Sequence, residues 1–294
     1  MSQPQKPQAT SVFILIPVHN RKAVTLSCLA RLKQQGDLAR YAVVVIDDGS
    51  TDGTGEAIHA LYDTVAVLQG DGTLWWTGAI AQGMAYAREQ GAELIIWLND
   101  DCIPHPDALA RLVEFWQQHP QTIVGAACYD AESNALHATG AKGRERRAAK
   151  PGETIEVDEM SGHCVATPIA VVEQIGLPDA RRFPHYHGDS MYILKATRMG
   201  FPAYILGAAR IDHDGVIKAQ LEDFLGQPGS PRSWLEDFYT VFLNKKSFYF
   251  LPTQCFYYLQ KYGAVAGSLI FSVKIGQWFM RFLQLGSRQT ISPR

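Results

Sequence analysis

YAVVVIDDGSTDGT (residues 41–54) is the stretch on which the reading of this chain turns. Its apolar run, Ala42 to Ile46, is mostly β-branched and does not alternate with polar residues, the pattern of a strand covered on both faces. The run stops at two carboxylates, Asp47 and Asp48. Gly49 and the cluster Ser50-Thr51-Asp52 follow, and these suit the start of a helix through about residue 62. The same succession recurs on either side, as SVFILIPVHN (11–20) and as LIIWLNDD (94–101). Strands expected at 11–17, 41–46, 65–68, 94–98 and 123–128 are separated by helical spacings at 21–35, 80–89 and 106–118, the first stopped by Gly36. Strand and helix in alternation predict an α/β fold, a mostly parallel sheet with helices on both faces. Ligands of such folds bind outside the carboxyl ends of the strands. Pro17 to Asn20, Asp47 to Ser50 and Asn99 to Asp101 all fall there, so three polar clusters converge on one cleft.

Composition narrows the classes. The chain has 294 residues with 27 Lys and Arg against 29 Asp and Glu, a net charge of −2, and 47% hydrophobic residues. That apolar content excludes intrinsic disorder, and near-neutrality argues against a nucleic-acid binder, which needs a basic field. The five cysteines (28, 102, 128, 164 and 255) form no CxxC pair, so buried thiols in a reducing compartment are expected rather than a zinc cluster. Residues 1–10 read as a polar, disordered tail without a secretion signal, and no run reaches the roughly 18 apolar residues of a spanning helix. The balance hides an asymmetry. Residues 234–294 hold seven basic and two acidic residues, a surplus of +5 that leaves −7 on the first 233. This tail is also rich in aromatics. Two parts are therefore expected, a compact domain over 11–233 and a basic aromatic helical extension over 234–294.

The clusters have readings of their own. Adjacent carboxylates such as Asp100 and Asp101 repel each other unless a cation or hydrogen-bond donors answer them. A divalent ion bridging carboxylate and substrate phosphate would do so; capping of the next helix is the alternative. Asp47 and Asp48 suit either nucleotide hydrogen bonding or a helix cap. Of Trp75 and Trp76, set between glycines, one can line the cleft. Residues 138–158, a basic run then an acidic one, read as an exposed loop or hairpin. A strand at 160–167, helices at 169–175 and 189–199 and a strand at 201–206 follow. His59, His105, His119, His137 and His163 carry no motif and are read as surface or loop positions.

PVHN, DDGSTDGT, NDD, HGD and HDG, in that order and on these elements, resemble the family 2 glycosyltransferases of the GT-A fold, over residues 11–215 and in general form into 238–244. Within the family the chain is similar to bacterial rhamnosyltransferase-like and galactofuranosyltransferase-like members. The resemblance implies that Asp47 binds the nucleotide base, with Pro17 to Asn20 beside base and ribose and Asp48 in the same pocket. It implies that Asn99, Asp100 and Asp101 stand for the DxD motif, with Asp101 on the metal and His213 completing its shell. Asp189 matches the catalytic base. Trp76 borders the donor pocket, and Gln82 falls near the diphosphate. Two positions depart from the pattern. Asn99 replaces the first acid of DxD, and Gly188 replaces the acid common before the base, which leaves His187 as a neighbor without a role.

The implied reaction is inverting, Mn²⁺- or Mg²⁺-dependent hexosyl transfer from a UDP- or dTDP-linked sugar to a saccharide or lipid-linked saccharide, in surface polysaccharide or glycolipid synthesis. A sugar nucleotidyltransferase would want a glycine-rich basic loop where this chain has PVHN; a noncatalytic nucleotide-sugar binder is the other alternative. No GxGxxG follows the first strand, so a dinucleotide-binding dehydrogenase is not expected. The basic aromatic tail suits an anionic membrane surface or a homodimer interface, and the protein is expected in the cytoplasm, peripheral to that membrane.

Overall fold

The computed structural model describes residues 11–213, 220–226 and 232–289. Segment 1–10, expected to be a disordered tail, lies outside the described residues, as do Asp214 and Gly215 of the HDG motif. Two compact units make up the chain, Met1–Ala180 with Gly188–Gly215 and Arg181–His187 with Val216–Arg294.

In the larger unit the expected alternation is present: β1 (Val12–Val18), α1 (Lys22–Gln35), α2 (Asp37–Arg40), β2 (Ala42–Asp47), α3 (Thr54–Leu61), β3 (Ala66–Gln69), α4 (Trp75–Glu89) and β4 (Leu94–Leu98). A three-residue strand β5 (Cys102–Pro104), helix α5 (Ala108–Gln118) and β6 (Ile123–Asp130) follow. The 138–158 segment is a hairpin, β7 (Gly140–Lys142) and β8 (Glu145–Arg147), followed by β9 (Thr154–Glu156) and β10 (Glu159–Met160). β11 (Cys164–Pro168), α6 (Ile169–Ile175), α7 (Gly188–Arg198) and β12 (Ala203–His213) complete the unit.

The main sheet runs β3-β2-β1-β4-β11-β6-β12-β5, with β9 also on β12. Its first four strands are parallel, and β11 is antiparallel to both β4 and β6. Successive residues of a strand face opposite sides, and here both sides are apolar. Phe13, Leu15, Val44, Ile46, Ile95 and Trp97 pack with Ile80 and Met84 of α4. Val12, Ile14, Ile16, Val43, Val45 and Ile96 pack with Leu29 and Leu32 of α1 and Leu112 of α5. The unbroken apolar runs of the sequence are thus explained by two helical layers.

Helix α4 begins at Trp75, five residues before the 80–89 expectation. Its cap comes from a distant residue: Asp48, at the end of β2, accepts hydrogen bonds from the N–H groups of Gly72 (2.8 Å), Leu74 (3.2 Å) and Trp75 (2.9 Å). A carboxylate at a helix N-terminus satisfies orphan donors and opposes the helix dipole.

The smaller unit holds α8 (Trp234–Phe238), α9 (Leu251–Tyr262) and α10 (Ala264–Gln289), so the expected C-terminal helical extension is present. Its core is Leu221, Val241, Phe242 and Phe282. His187 belongs here. It stacks on Tyr257 at 4.0 Å, and burial, with the Lys261 charge, lowers its pKa to about 3, so the ring is neutral.

Trp97 is fully buried, edge-on to Trp76 at 5.8 Å and tilted on Tyr192 at 5.7 Å, with no partner for its indole N–H. Trp97→Ala is expected to cost about 3–5 kcal/mol in urea unfolding. Trp97→Phe, which removes the orphan N–H and less volume, should cost only a fraction of that.

Candidate active site

Strand order 3-2-1-4 reverses direction between β1 and β4, the place where open α/β sheets form a crevice. Pro17 to Asn20 lead into α1 and Asn99 to Asp101 lead toward α5, two helices that pack on the same face of the sheet. Register aligns their neighbors, with Val18 opposite Asp47 and Asp47 opposite Gln69.

The β1 and β2 loops are tied to each other. The Asn20 N–H donates to Ser50 Oγ (2.8 Å), and Asn20 Oδ1 accepts from the Thr51 N–H (2.7 Å). His19 Nδ1 lies 2.6 Å from the Asp48 carbonyl. Asp47 is 2% exposed and accepts the Ser50 N–H at 2.9 Å through Oδ1; Gly55 leaves room beside Oδ2, since a Cβ there would stand 3.0 Å away. Asp48 spends both carboxylate oxygens on α4. Asp52 accepts from the N–H groups of Lys22 (2.9 Å) and Thr54 (3.1 Å), joining the starts of α1 and α3. Gln82 donates to the Gln69 carbonyl at 3.2 Å.

Across the crevice, Arg21 reaches both acids of the NDD motif. Its Nη1 is 3.2 Å from Asp100 Oδ1 and its Nη2 3.0 Å from Asp101 Oδ2. Thr25, one turn along α1, donates to Asp100 Oδ2 at 2.9 Å. Burial nonetheless dominates at Asp100 and raises its pKa to about 6, against the opposing pull of Arg21 and Thr25. Asp101 is more open, and its Oδ1 lies 3.6 Å from His213 Nε2.

That proximity is fixed by β5, a strand not among those expected from the sequence. β5 pairs antiparallel with the end of β12, so Cys102 stands opposite His213. Asp101, Cys102 and His213 offer ligand atoms within 4.8 Å of one another. The donor set fits a hard divalent cation through the carboxylate and imidazole. Burial holds the Cys102 thiol well above its ordinary pKa, so the carboxylate and the imidazole are the readier donors. His163, read as a loop residue, meets His213 edge to face at 5.0 Å; its Nδ1 is buried without a partner, and burial lowers its pKa to about 4. His105, likewise dismissed, pairs with Asp212 at 2.7 Å. Arg21 and His163 were missed because neither belongs to a motif; their only sequence signal is position, directly after PVHN and directly before β11.

Asp189 opens α7. Its carboxylate accepts the N–H groups of Gly162 (2.6 Å) and Ser190 (2.7 Å), while burial, the larger effect, raises its pKa above the ordinary carboxylate value. A Cβ on Gly162 would stand 2.6 Å from the Trp76 ring and 2.9 Å from Asp189 Cβ, so glycine leaves the space that both side chains border. Trp76 in turn donates from Nε1 to Asn99 Oδ1 at 2.8 Å. Asn99 accepts this bond without adding a third charge beside Asp100 and Asp101. Asp189, Trp76 and Asn99 thus form one linked group, and Arg21, Asp100, Asp101 and His213 a second joined to it through residues 99–101.

Gly188 has a packing reason. A Cβ on it would fall 1.9 Å from Thr77 Oγ1 on α4, so the acid common at this position has no space here.

Residues 13–176 match the profile of glycosyl transferase family 2. Glycosyltransferase AglE of Haloferax volcanii is 27% identical over 204 residues, 65% of this chain and 62% of that protein. Among solved structures, mannosyltransferase PcManGT from Pyrobaculum calidifontis, in complex with GDP-Man and Mn²⁺, superposes with a TM-score of 0.55 at 18% identity, covering 74% of this chain and 60% of its own. S. aureus TarS 1–349 in complex with UDP-GlcNAc gives 0.57 at 14% identity, covering 74% and 62%. The chain thus spans about three fifths of each of these proteins, and the structural likenesses show the fold.

Gly188→Ala is expected to destabilize the fold by about 1–3 kcal/mol through overpacking on Thr77, and Gly188→Asp by more. Urea denaturation of the two variants against the parent checks this.

Proposed function

The chain belongs to glycosyl transferase family 2, and on that footing we propose that it is an inverting, divalent-metal-dependent hexosyltransferase. It moves a sugar from a nucleotide-diphosphate sugar to a hydroxyl of a saccharide or lipid-linked saccharide, in surface polysaccharide or glycolipid synthesis in the cytoplasm. The observation that carries this reading is the convergence of Asp189, Trp76 and Asn99 with the Asp101–His213 pair beside the β1/β4 crevice. The fold is of the GT-A class, shared with the PcManGT and TarS structures, whose bound GDP-Man and UDP-GlcNAc support a nucleotide-sugar donor.

Each residue then has a task. Asp47 accepts hydrogen bonds from the base or ribose, and Pro17 and Asn20 shape the wall beside it. Asp48 and Gln82 act indirectly, holding α4 and the end of β3 in place. Trp76 offers an aromatic face at the sugar end of the cleft. Asp101 and His213 would hold the metal, with Asp100 kept close by Arg21. When bound, a divalent cation supplies positive charge against the diphosphate that departs. Asp189 takes the proton of the acceptor hydroxyl as its oxygen attacks the anomeric carbon and the bond to the diphosphate breaks. A carboxylate whose pKa is raised is a better base for this than a free one.

Asp189→Asn should lower transfer by about 10²–10⁴-fold while thermal shift still registers the nucleotide sugar with Mn²⁺. The wild-type rate should fall toward acid as Asp189 takes up a proton, with a midpoint above the ordinary aspartate value of about 3.9. A fully active variant would remove Asp189 from the role of base.

A further inference from the structure

Eleven of the fourteen large hydrophobic side chains exposed among the described residues belong to the smaller unit. Six of them lie on α10, and five of these, Val265, Leu269, Val273, Met280 and Leu283, each between 45% and 78% exposed, share one face. Their spacing of three, four or seven residues puts them within about 80° of arc along about 27 Å of helix. Gly276 falls in the same arc, and a side chain there would meet open space. The inward face of α10 is already used. Phe282 packs with Phe242 and Phe238, and Trp278 sits edge-on to Tyr249. A stripe this long and continuous, left outside a satisfied core, is an interaction surface.

Charge decides what covers it. From Lys245 to the end of the sequence there are seven Lys and Arg and no Asp or Glu. Arg281 is answered by Glu222, from outside this segment. A second copy would bring an equal concentration of positive charge against the first and be repelled. An anionic lipid surface attracts that charge and accepts apolar side chains at the same time. No described helix is long and apolar enough to cross a bilayer.

We propose that α10 lies in the plane of an anionic membrane surface, with the Val265–Leu283 stripe at the boundary between headgroups and acyl chains. The basic residues of this region hold it to the lipid phosphates. The inference rests on the smaller unit alone, so it stands or falls apart from the transfer reaction.

Co-sedimentation of the full chain with vesicles tests it. Binding to phosphatidylcholine:phosphatidylglycerol (70:30) is expected to be at least tenfold tighter than to phosphatidylcholine alone, and to weaken as NaCl is raised to about 0.5 M. The double variant Leu269→Asp/Val273→Asp should bind at least tenfold more weakly. If circular dichroism shows that this variant has lost its fold, Leu269→Ser/Val273→Ser takes its place with the same expected loss. Equal binding of parent and folded variant, or no binding by the parent, overturns the proposal. So does a parent that ignores vesicles but sediments as a dimer that the variant breaks, because a second copy is then the occupant.

Discussion

Two adjacent carboxylates at the end of a buried strand need a cation within reach, and Arg21 supplies it across the β1/β4 crevice. The Asp100 side chain is 2% exposed and Arg21 41%, so the two arms of the guanidinium differ in effect. The arm on Asp101, near solvent, contributes about 0–1 kcal/mol as an ion pair. The arm on Asp100 matters more, because a buried carboxylate without a partner costs about 1–3 kcal/mol or takes up a proton instead. Thr25 shares that task from the next turn of α1. With Oδ2 of Asp101 held by Arg21, Oδ1 is the oxygen that lies toward His213. The helix that packs under the sheet thus also sets which oxygen of the acid pair meets the imidazole.

From that point the site is built by relays over long sequence separations. Asp48 starts α4 from the end of β2, α4 carries Trp76 to Asn99, and Trp76 shares the space over Gly162 with Asp189. Thr77, the next residue of α4, lies where a side chain on Gly188 would fall. Trp76 therefore stands between Asn99, next to the acid pair, and Asp189. Substitutions in α4 should be felt at both.

Much of this was legible in the sequence because it is local. The apolar β-branched runs announced the central strands, and the polar clusters at their ends marked the crevice. Gly36 stopped α1 as read. The parts that were not legible depend on pairing. β5 is three residues long and exists because β12 offers it an edge, so Asp101 and His213 meet through a register that no spacing encodes. The N-terminus of α4 was placed late because its cap lies more than twenty residues upstream. His163 looked like a loop residue because its partner, His213, is fifty residues away. Gly188 looked like a defect in a motif until Thr77 was seen opposite it.

On the proposed function, Asp101 and His213 together hold a divalent cation at the strand-end crevice. Titration of Mn²⁺ followed by electron paramagnetic resonance, with a nucleoside diphosphate present, measures this without any turnover. His213→Ala is predicted to weaken Mn²⁺ binding at least about tenfold relative to the parent. Equal affinity in the two proteins would contradict the account.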